Sequence, residues 1–452
     1  MQIELPAATS LPSEYIDRFK QPIGRFLHIE SMAGAILLLS TIAALVISNS
    51  TLVHFYESAW ETPMGLHVGS LEYARSFREW VNDGLMTLFF FLVALELKRE
   101  LVLGELNRPH KAVFSIAAAV GGMVVPASVY LALQYGQTGE QGWGTVMATD
   151  TAFVIGCLAL LGTRIPKSLR VFMLSLAIVD DIGAILVVAI GYSSTIGWGA
   201  LLVAGIGLLI VRTMTFVGIR GIPLYILIGM FIWAAVDASG IHATITGVIL
   251  GLMTPARRWV SDVRLYAILD QVIAHPTNEE NGLETQHRET LQMAETAARE
   301  TLSPVERIEF ALHPWVAFVI MPLFAFGNAG LPLTLSNSSG SITVAIFLGF
   351  VLGKPLGVLL FSWAAVQFGL AVRPSDLNWK LIAGGSVLTG IGFTMALFIA
   401  NLAFTSQLVD SAKLGIFLAS LTSALIGMAL LWTFSPRQQF ANPAFKPTGV
   451  SK

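Results

Sequence analysis

Two adjacent carboxylates lie in the middle of a long apolar segment. Asp180 and Asp181 interrupt residues 174–188, which are otherwise aliphatic residues, glycine and serine. An ionised side chain at the centre of a bilayer costs about 3 kcal/mol or more, so a chain that keeps two of them side by side is expected to use them. We therefore predict that this pair holds a cation or protons midway across a membrane.

Further ionisable residues recur within apolar segments. Asp150 and Lys354 each lie about ten residues from the ends of their segments, near the bilayer midplane at about 1.5 Å of helix per residue. Asp83, Glu96 and His242 lie nearer to segment ends. Ionisable residues within a membrane are functional candidates by default, so the set outlines a polar pathway. For Asp83 and His242, a structural polar contact near a helix end explains the residue equally well.

The composition indicates an integral membrane protein. Of the 452 residues, 54% are hydrophobic and only 12% are charged, and the mean hydropathy is +0.70. Soluble proteins carry about 25% charged residues. The net charge of −2 gives no reason to expect a nucleic-acid partner, and no cofactor motif is visible. The chain has one cysteine, Cys157, which excludes an intrachain disulfide. Residues 1–20 lack the pattern of a cleavable signal.

Apolar runs long enough to cross a bilayer predict an all-α protein with about twelve transmembrane helices. The runs lie near 30–49, 83–103, 112–134, 144–163, 168–193, 196–212, 222–236, 239–255, 309–331, 341–363, 380–404 and 411–434.

Basic residues are concentrated in alternate loops. Lys and Arg follow the even-numbered runs, and the other loops contain few besides Arg75, Arg78 and Lys413. The positive-inside rule therefore predicts that both termini are cytoplasmic. A bacterial inner membrane fits this reading best.

These runs divide the chain into five predicted parts. They are a cytoplasmic segment 1–29, helices 1–8 over 30–255, a cytoplasmic loop 256–308, helices 9–12 over 309–434 and a cytoplasmic tail 435–452.

Two predicted loops are long. The outer loop 49–80 could form a small β-hairpin. The loop 256–308 is predicted to contain an amphipathic helix after a break at 278–282, with an apolar face formed by Leu291, Ala294, Ala298 and Leu302. A solvated loop on the membrane surface is the simpler interpretation of this segment, and a regulatory role is the alternative.

Two transmembrane runs contain a weak point at mid-depth. Thr149, Asp150 and Thr151 compete for backbone hydrogen bonds within one run, and Gly390 and Gly392 loosen another. Each site alone could be an ordinary helix packed closely through small residues. Each weak point lies in the middle run of a group of three runs, and these groups, 112–193 and 341–434, begin at opposite sides of the membrane. This arrangement predicts inverted repeats, each with a discontinuous helix, that cross near the midplane.

Six sequence stretches match a known family in its order. They are Ala148–Phe153, Leu176–Ala184, Gly240–Thr244, Leu323–Gly330, Gly353–Gly357 and Gly390–Met395. Together they resemble the NhaA-type bacterial sodium/proton antiporters, over about Ile29 to Trp432. That family is a reference example of inverted repeats, so the resemblance and the repeat pattern are not independent. The insert at about 259–302 is longer than expected for the family, so the resemblance does not imply regulation through this loop.

The resemblance implies roles for individual residues. Asp181 would be the principal cation and proton site, with Asp180 as its close partner and Thr149 beside it. Asp150 and Lys354 would offset the partial charges of the half-helix ends.

The resemblance also implies a pH-response region and a set of partners. The pH-response residues would be Glu96, Arg99, Glu100, His242 and Glu309. Asp83 matches another acidic position of the family, to which we assign no mechanism. The implied partners are Na⁺, Li⁺, H⁺, the lipid bilayer and a second copy of the chain, with the outer loop as the dimer contact.

The chemistry of the aspartate pair supports exchange. A small hard cation favours carboxylate, carbonyl and hydroxyl oxygens, and burial with mutual repulsion favours protonation of the same carboxylates. Protons and Na⁺ would therefore compete for one site, and two acids per monovalent ion would suit an electrogenic exchange.

Alternatives from other classes remain open at this point. A membrane-embedded aspartyl hydrolase would need Asp150 to pair with Asp181, because neighbours on one helix point about 100° apart. A channel would show uncoupled flux, and a transporter of an organic solute would need more room and polar variety than this compact acid cluster indicates.

Overall fold

The computed structural model describes residues 26–68, 71–104, 107, 109–192, 196–219, 221–274, 284–332 and 340–435. These residues are predominantly helical. Most of the predicted segment 1–29, nearly all of the predicted tail 435–452 and the predicted break at 278–282 fall outside them.

The first half of the chain contributes nine helices among the described residues. In chain order they are α1 (Phe26–Ser48), α2 (Val53–Glu61), α3 (77–102), α4 (Pro109–Gln134), α5 (Thr151–Leu160), α6 (Lys167–Gly191), α7 (Trp198–Val217), α8 (Ile222–Ala238) and α9 (Thr244–Met253). α3 is continuous through a π-helical turn at Trp80–Leu85. Short 3₁₀ segments cover Glu140–Met147 and Gly162–Arg164.

The second half contributes seven more helices in the described ranges. They are α10 (Asp262–Ala274), α11 (Glu284–Glu300), α12 (Pro304–Asn328), α13 (Gly340–Gln367), α14 (Trp379–Leu388), α15 (Phe393–Ala403) and α16 (Ser406–Phe434). Ser303 and Glu306 form a capping box with Pro304 in the first turn, which fixes the start of α12.

Many of these helices are long and apolar enough to cross a membrane. Seven described segments meet that test, one of which joins the 3₁₀ segment Glu140–Met147 to α5, and up to nine spans result if each of two bent pairs counts as one. The predicted runs at 222–236 and 239–255 form the shorter apolar helices α8 and α9, and the run at 83–103 forms α3. The chain is therefore an all-α, multi-pass membrane protein, and twelve crossings remain a prediction.

A small β-hairpin follows α2. Strands β1 (Pro63–Val68) and β2 (Leu71–Ser76) pair antiparallel, with Pro63 opposite Ser76 and Val68 opposite Leu71. The Trp80 indole donates to Met64 O at 2.8 Å and its ring stacks on Trp233 of α8. The hairpin is thereby attached to the beginning of α3.

The core lies where α4 and α13 cross α6 and the interrupted helices. Gly121 of α4 and Gly357 of α13 approach so closely that a Cβ on either would overlap the backbone of the other. Nearly every residue of α15 is buried. This half-helix is therefore surrounded by protein, as irregular backbone at membrane depth requires.

Two helices are interrupted near their middles and meet there. Residues 148–150 are non-helical between the Glu140–Met147 segment and α5, and residues 389–392 separate α14 from α15 at a bend of 48°. Asp150 N donates to Ile391 O at 2.7 Å, so the two breaks are joined directly.

The loop after α9 contains the two helices α10 and α11, which pack together. The predicted apolar face of this loop is partly wrong. Ala294 is buried as predicted, but Ala297 is its buried neighbour, whereas Leu291 and Leu302 are 45% and 40% exposed. Ala298 is exposed as well, and Leu302 lies beyond the end of α11 at Glu300, so it does not belong to the same helical face.

Candidate ion-binding site

Asp180 and Asp181 lie in the middle of α6 and are buried, with 0% and 3% of their surfaces exposed. One oxygen of each carboxylate, Oδ1, accepts no hydrogen bond from any described residue. A buried carboxylate oxygen without a partner is costly, so such an atom calls for an explanation. The pair can therefore accept a cation or a proton.

Lys354 is the ion-pair partner of Asp180. Its Nζ lies 2.9 Å from Asp180 Oδ2, and both side chains are fully buried. Nζ also donates to Met147 O at the end of the 3₁₀ segment, and Thr149 Oγ1 donates to the same Asp180 oxygen. The lysine thus balances one carboxylate and one helical C-terminal end at once.

Asp181 has weaker support than Asp180. Thr151 Oγ1 donates to Asp181 Oδ2 at 3.3 Å. When they are ionised, the carboxylates of Asp180, Asp150 and Glu96 repel a negative charge on Asp181. The sequence did not indicate Thr151 as a ligand, although it neighbours Asp150. Asp181 is therefore the group in this site with most to gain from a bound cation or proton.

Asp150 begins α5 and binds the beginning of α15. Its Oδ1 accepts from Phe153 N at 3.2 Å, and its Oδ2 accepts from Thr394 N at 2.9 Å and from Thr394 Oγ1. Two helix N-termini, each with a partial positive charge, thus share one carboxylate. Both Asp150 oxygens are engaged, so the structure gives no support to an Asp150–Asp181 dyad of the hydrolase type.

The atoms that could coordinate a cation at the aspartate pair are oxygens. Within the described ranges, no three His, Cys, Asp or Glu side chains group as a metal centre. The carboxylates of Asp180 and Asp181 and the hydroxyls of Thr149 and Thr151 suit a small hard cation as a transported substrate.

A cavity opens between the end of α3 and the beginning of α6. Its volume is about 390 Å³, and it is lined by Glu100, Leu103, Gly104, Asn107, Val171, Leu174 and Ser175. Leu174 lies two helical turns before Asp181, on the same face of α6. The cavity therefore lies at the end of the bundle that carries the predicted pH-response residues, and its lining ends about two helical turns from Asp181.

Four of the predicted pH-response residues come together at that end. Arg99 forms an ion pair with Glu309 and lies 3.7 Å from Glu100. Glu309 is buried, and its Oε2 has no hydrogen-bond partner in the described chain. Glu96 lies one turn earlier on α3 and acts electrostatically on Asp181.

His242 lies apart from this group, and its role in the pH response stays a prediction. Its Nε2 lies 2.9 Å from Tyr192 O, and it acts electrostatically on Asp83 at the hairpin end of α3. The sequence stretch around His242 matched the family, but a single motif does not reveal which end of the bundle it occupies.

Asp83 belongs to an ion-pair network that the sequence analysis missed. Arg75 of β2 lies 2.8 Å from Asp83 Oδ2 and 2.6 Å from Asp237 Oδ2 of α8. The position of Arg75 in a loop otherwise poor in basic residues was a signal that it has acidic partners.

Comparison with known proteins confirms the resemblance. A family model described as Na⁺/H⁺ antiporter 1 matches residues 24–431. Na⁺/H⁺ antiporter NhaA 1 of Acidiphilium cryptum is 54% identical over 440 residues, which cover 97% of this chain and 98% of the relative. Na⁺/H⁺ antiporter NhaA 2 of Vibrio vulnificus is 55% identical over 431 residues, covering 95% and 96%. NhaA of Rhizobium meliloti is 56% identical over 430 residues, covering 95% and 98%. With a family model matched over most of its length, this chain belongs to the Na⁺/H⁺ antiporter family of NhaA-type membrane proteins.

Proposed function

We propose that this protein exchanges cytoplasmic Na⁺ or Li⁺ for external H⁺ across a bacterial inner membrane, at one site formed by Asp180 and Asp181. The observation that carries the proposal is the pair of buried Oδ1 atoms that accept no hydrogen bond from the part of the chain that the structure describes. A cation satisfies them as a ligand, and a proton satisfies them by neutralising the carboxylate. Because both occupants use the same oxygens, each excludes the other.

Competition of this kind produces coupling. The ion-loaded and proton-loaded forms carry a compensated site, whereas the empty form would carry an uncompensated buried charge through the low-dielectric interior. Only the loaded forms cross readily, so one substrate leaves as the other enters. Such exchange serves sodium and pH homeostasis, and it needs no covalent chemistry.

Lys354 has a dynamic part in this scheme. A cation that binds Asp180 competes with the ammonium group at 2.9 Å, so the ion pair breaks when the cation arrives. Because Asp180 is ionised in this pair, the two protons exchanged per monovalent cation would come from Asp181 and from the displaced Lys354 ammonium, which makes the exchange electrogenic. If Lys354→Ala kept the parental exchange stoichiometry and electrogenicity, this step would be wrong.

Alternating access would be carried by the two repeats, 112–193 and 341–434. Their interrupted helices meet at Asp150, Ile391 and Thr394, so a shift of one repeat moves the backbone beside the aspartate pair. The cavity near Glu100 supports access from the cytoplasmic end in the present conformation.

Regulation by pH is assigned to the cluster of Glu96, Arg99, Glu100 and Glu309 at the same end. A charged network beside the entrance changes its field when one member gains a proton. An unchanged activity–pH profile in Glu96→Ala would refute this assignment.

The assembly and orientation complete the proposal. Both termini lie in the cytoplasm, the hairpin lies outside, and two copies associate through the outer loop 49–80. A reporter fused after residue 452 would be active only on the cytoplasmic side, and deletion of 63–76 would yield monomers.

The decisive experiment uses purified protein in liposomes with a preset pH gradient. Na⁺ and Li⁺ should dissipate the gradient, K⁺ should not, and Asp181→Asn should be inactive. Ion flux without proton movement would indicate a channel, and dissipation by an organic solute instead of Na⁺ would indicate another transporter class.

A further inference from the structure

Three asparagine side chains form a hydrogen-bonded group apart from the ion site. The amide of Asn328 donates to Asn82 Oδ1 at 2.7 Å and to Phe324 O at 3.0 Å. Its Oδ1 accepts from Asn82 Nδ2 at 3.2 Å and from Asn401 Nδ2 at 2.9 Å. Asn328 is 3% exposed, and both of its donor hydrogens and its acceptor oxygen are engaged. We call Asn82, Asn328 and Asn401 the asparagine triad.

The triad joins an element of the ion site to elements outside it. Asn401 lies near the end of α15, about two turns from Thr394, which binds Asp150. Asn82 belongs to the π-helical turn of α3, and Asn328 is the last residue of α12. The same half-helix is thus held at one end by Asp150 and at the other by the triad.

The triad and the cavity lie at opposite ends of the bundle. Asn82 follows the hairpin at the start of α3, whereas Glu100 of the cavity lies near the end of that helix. The helical distance between them is about 27 Å, close to the thickness of the hydrocarbon core. The described bundle therefore has a cavity at one end and hydrogen-bonded amides at the other.

Aromatic packing continues the closure below the triad. Phe398, one turn before Asn401, lies 5.3 Å from the ring of Phe90 in α3 and 6.2 Å from that of Phe324 in α12. An apolar layer of this kind excludes water, and an amide hydrogen bond next to it is stronger than the same bond in water.

We infer that the asparagine triad is a positioning element that holds the hairpin end of the bundle closed in the conformation in which the ion site exchanges ions with the cavity end. The inference rests on the proposed exchange by alternating access, which requires this end to open in turn. The Asn401–Asn328 bond must then break, because it links the half-helix beside the site to α12. A bond of this type shifts a two-state equilibrium by about 3- to 10-fold.

The experiment measures access to the closed end with a thiol probe. Ala325 is fully buried one turn before Asn328, and Cys157 is the one native cysteine, so Ala325→Cys in a Cys157→Ala background gives a single probe. Asn401→Leu removes the donor at similar size and leaves the Asn82–Asn328 pair intact. Labelling by a membrane-impermeant maleimide from outside should accelerate about 3- to 10-fold in Asn401→Leu. Asn401→Gln, which keeps the amide, should return the rate towards the parental value.

Transport kinetics provide the second readout. If the open population rises, the apparent KM for Na⁺ on the hairpin side should fall by the same factor, whereas KM on the cavity side should change little because the closed form still predominates. Thr343→Val is the matched control, because it removes a hydrogen bond to Ser411 O that joins α13 to α16 within the second repeat. That control should alter neither the labelling rate nor KM.

An unchanged labelling rate and KM in a stably folded Asn401→Leu would overturn the inference. If Asn401→Leu does not fold, Asn401→Asp tests the same bond, since its carboxylate lacks the donor and regains it on protonation. The ratio of external labelling in Asn401→Asp to that in the Asn401 parent at the same pH, which removes the thiolate dependence of the maleimide reaction, should then fall as the pH falls. A ratio independent of pH would contradict the inference. The labelling experiment needs no transported ion, so a failure of the proposed exchange in liposomes would be recognised separately.

Discussion

Two buried aspartates, about 30 residues apart, have opposite surroundings. Asp150 and Asp181 are 1% and 3% exposed. Asp150 uses both oxygens to bind two helix N-termini, at Phe153 and Thr394. Asp181 receives one long hydrogen bond from Thr151, and its second oxygen has no partner in the described chain. Burial alone therefore does not identify the exchange site, whereas a buried carboxylate oxygen without a hydrogen-bond partner does. Asp150 is suited to hold the two interrupted helices together, and Asp181 is suited to bind and release a cation or a proton.

The largest effect is expected at Asp181. Asp181→Asn should reduce exchange by about 100-fold or more, because a lost interaction with a charged group is worth about 3 kcal/mol. The readout is the Na⁺-dependent collapse of a pH gradient in liposomes. The asparagine is nearly isosteric, so the thermal stability of the protein should remain near the parental value. Activity above a tenth of the parental rate would contradict the distinction between the two aspartates.

The second-largest effect is expected when the Lys354–Asp180 ion pair is broken, which should lower the stability of the protein. Lys354→Met leaves Asp180 buried without its partner, which costs about 3–5 kcal/mol of unfolding free energy when the carboxylate stays ionised. The double variant Lys354→Met with Asp180→Asn should recover part of this loss, because the uncompensated charge is gone. Thermal unfolding in detergent measures both. Equal stabilities of the single and double variants would show that the pair is not energetically coupled.

Substitution of Asp150 should chiefly lower the stability of the protein. Asp150→Ala removes a helix cap and the bonds to Thr394, a loss of about 1–3 kcal/mol. Asp150→Asn keeps one acceptor oxygen and should lose less. The KM for Na⁺ should change less in Asp150→Asn than in Asp181→Glu, which alters the reach of a direct ligand. The reverse order would assign ion binding to Asp150.

The smallest expected effect concerns the entrance cluster. Glu309→Gln removes a negative charge that pairs with Arg99, so deprotonation of the nearby acids becomes easier. The pH of half-maximal exchange should move to lower values by about 0.5 unit, equivalent to about 0.7 kcal/mol. Glu300→Gln, which removes the ion-pair partner of Arg307 in the first turn of the same α12, is the matched control. A profile that moves equally in both variants would exclude a specific role for Glu309.

Much of the site could be predicted from the sequence because buried charge is costly. Asp180, Asp181 and Lys354 each stand out within apolar runs, and the structure brings the three together. The weak points at Asp150 and Gly390 were also visible, since polar residues and glycine disfavour an uninterrupted helix. These features depend on local composition, which a single sequence reports well.

Long-range pairings could not be predicted in the same way. The bond between Asp150 and Thr394 joins residues 244 positions apart, and Asn82 and Asn328 are 246 apart. Asparagines in apolar helices give no sign of their partners. Arg75 illustrates the same limit, because its two acidic partners lie on different helices and only folding brings them together.

The most direct test of a shared site is proton release on ion binding. Purified protein in weakly buffered detergent solution, monitored with a pH-sensitive dye, should release protons when NaCl is added and should not respond to KCl. Asp181→Asn should release fewer protons, and the released amount should saturate together with bound Na⁺. Saturable Na⁺ binding with no proton release, at any pH where exchange occurs, would contradict the competition of the two ions for Asp180 and Asp181.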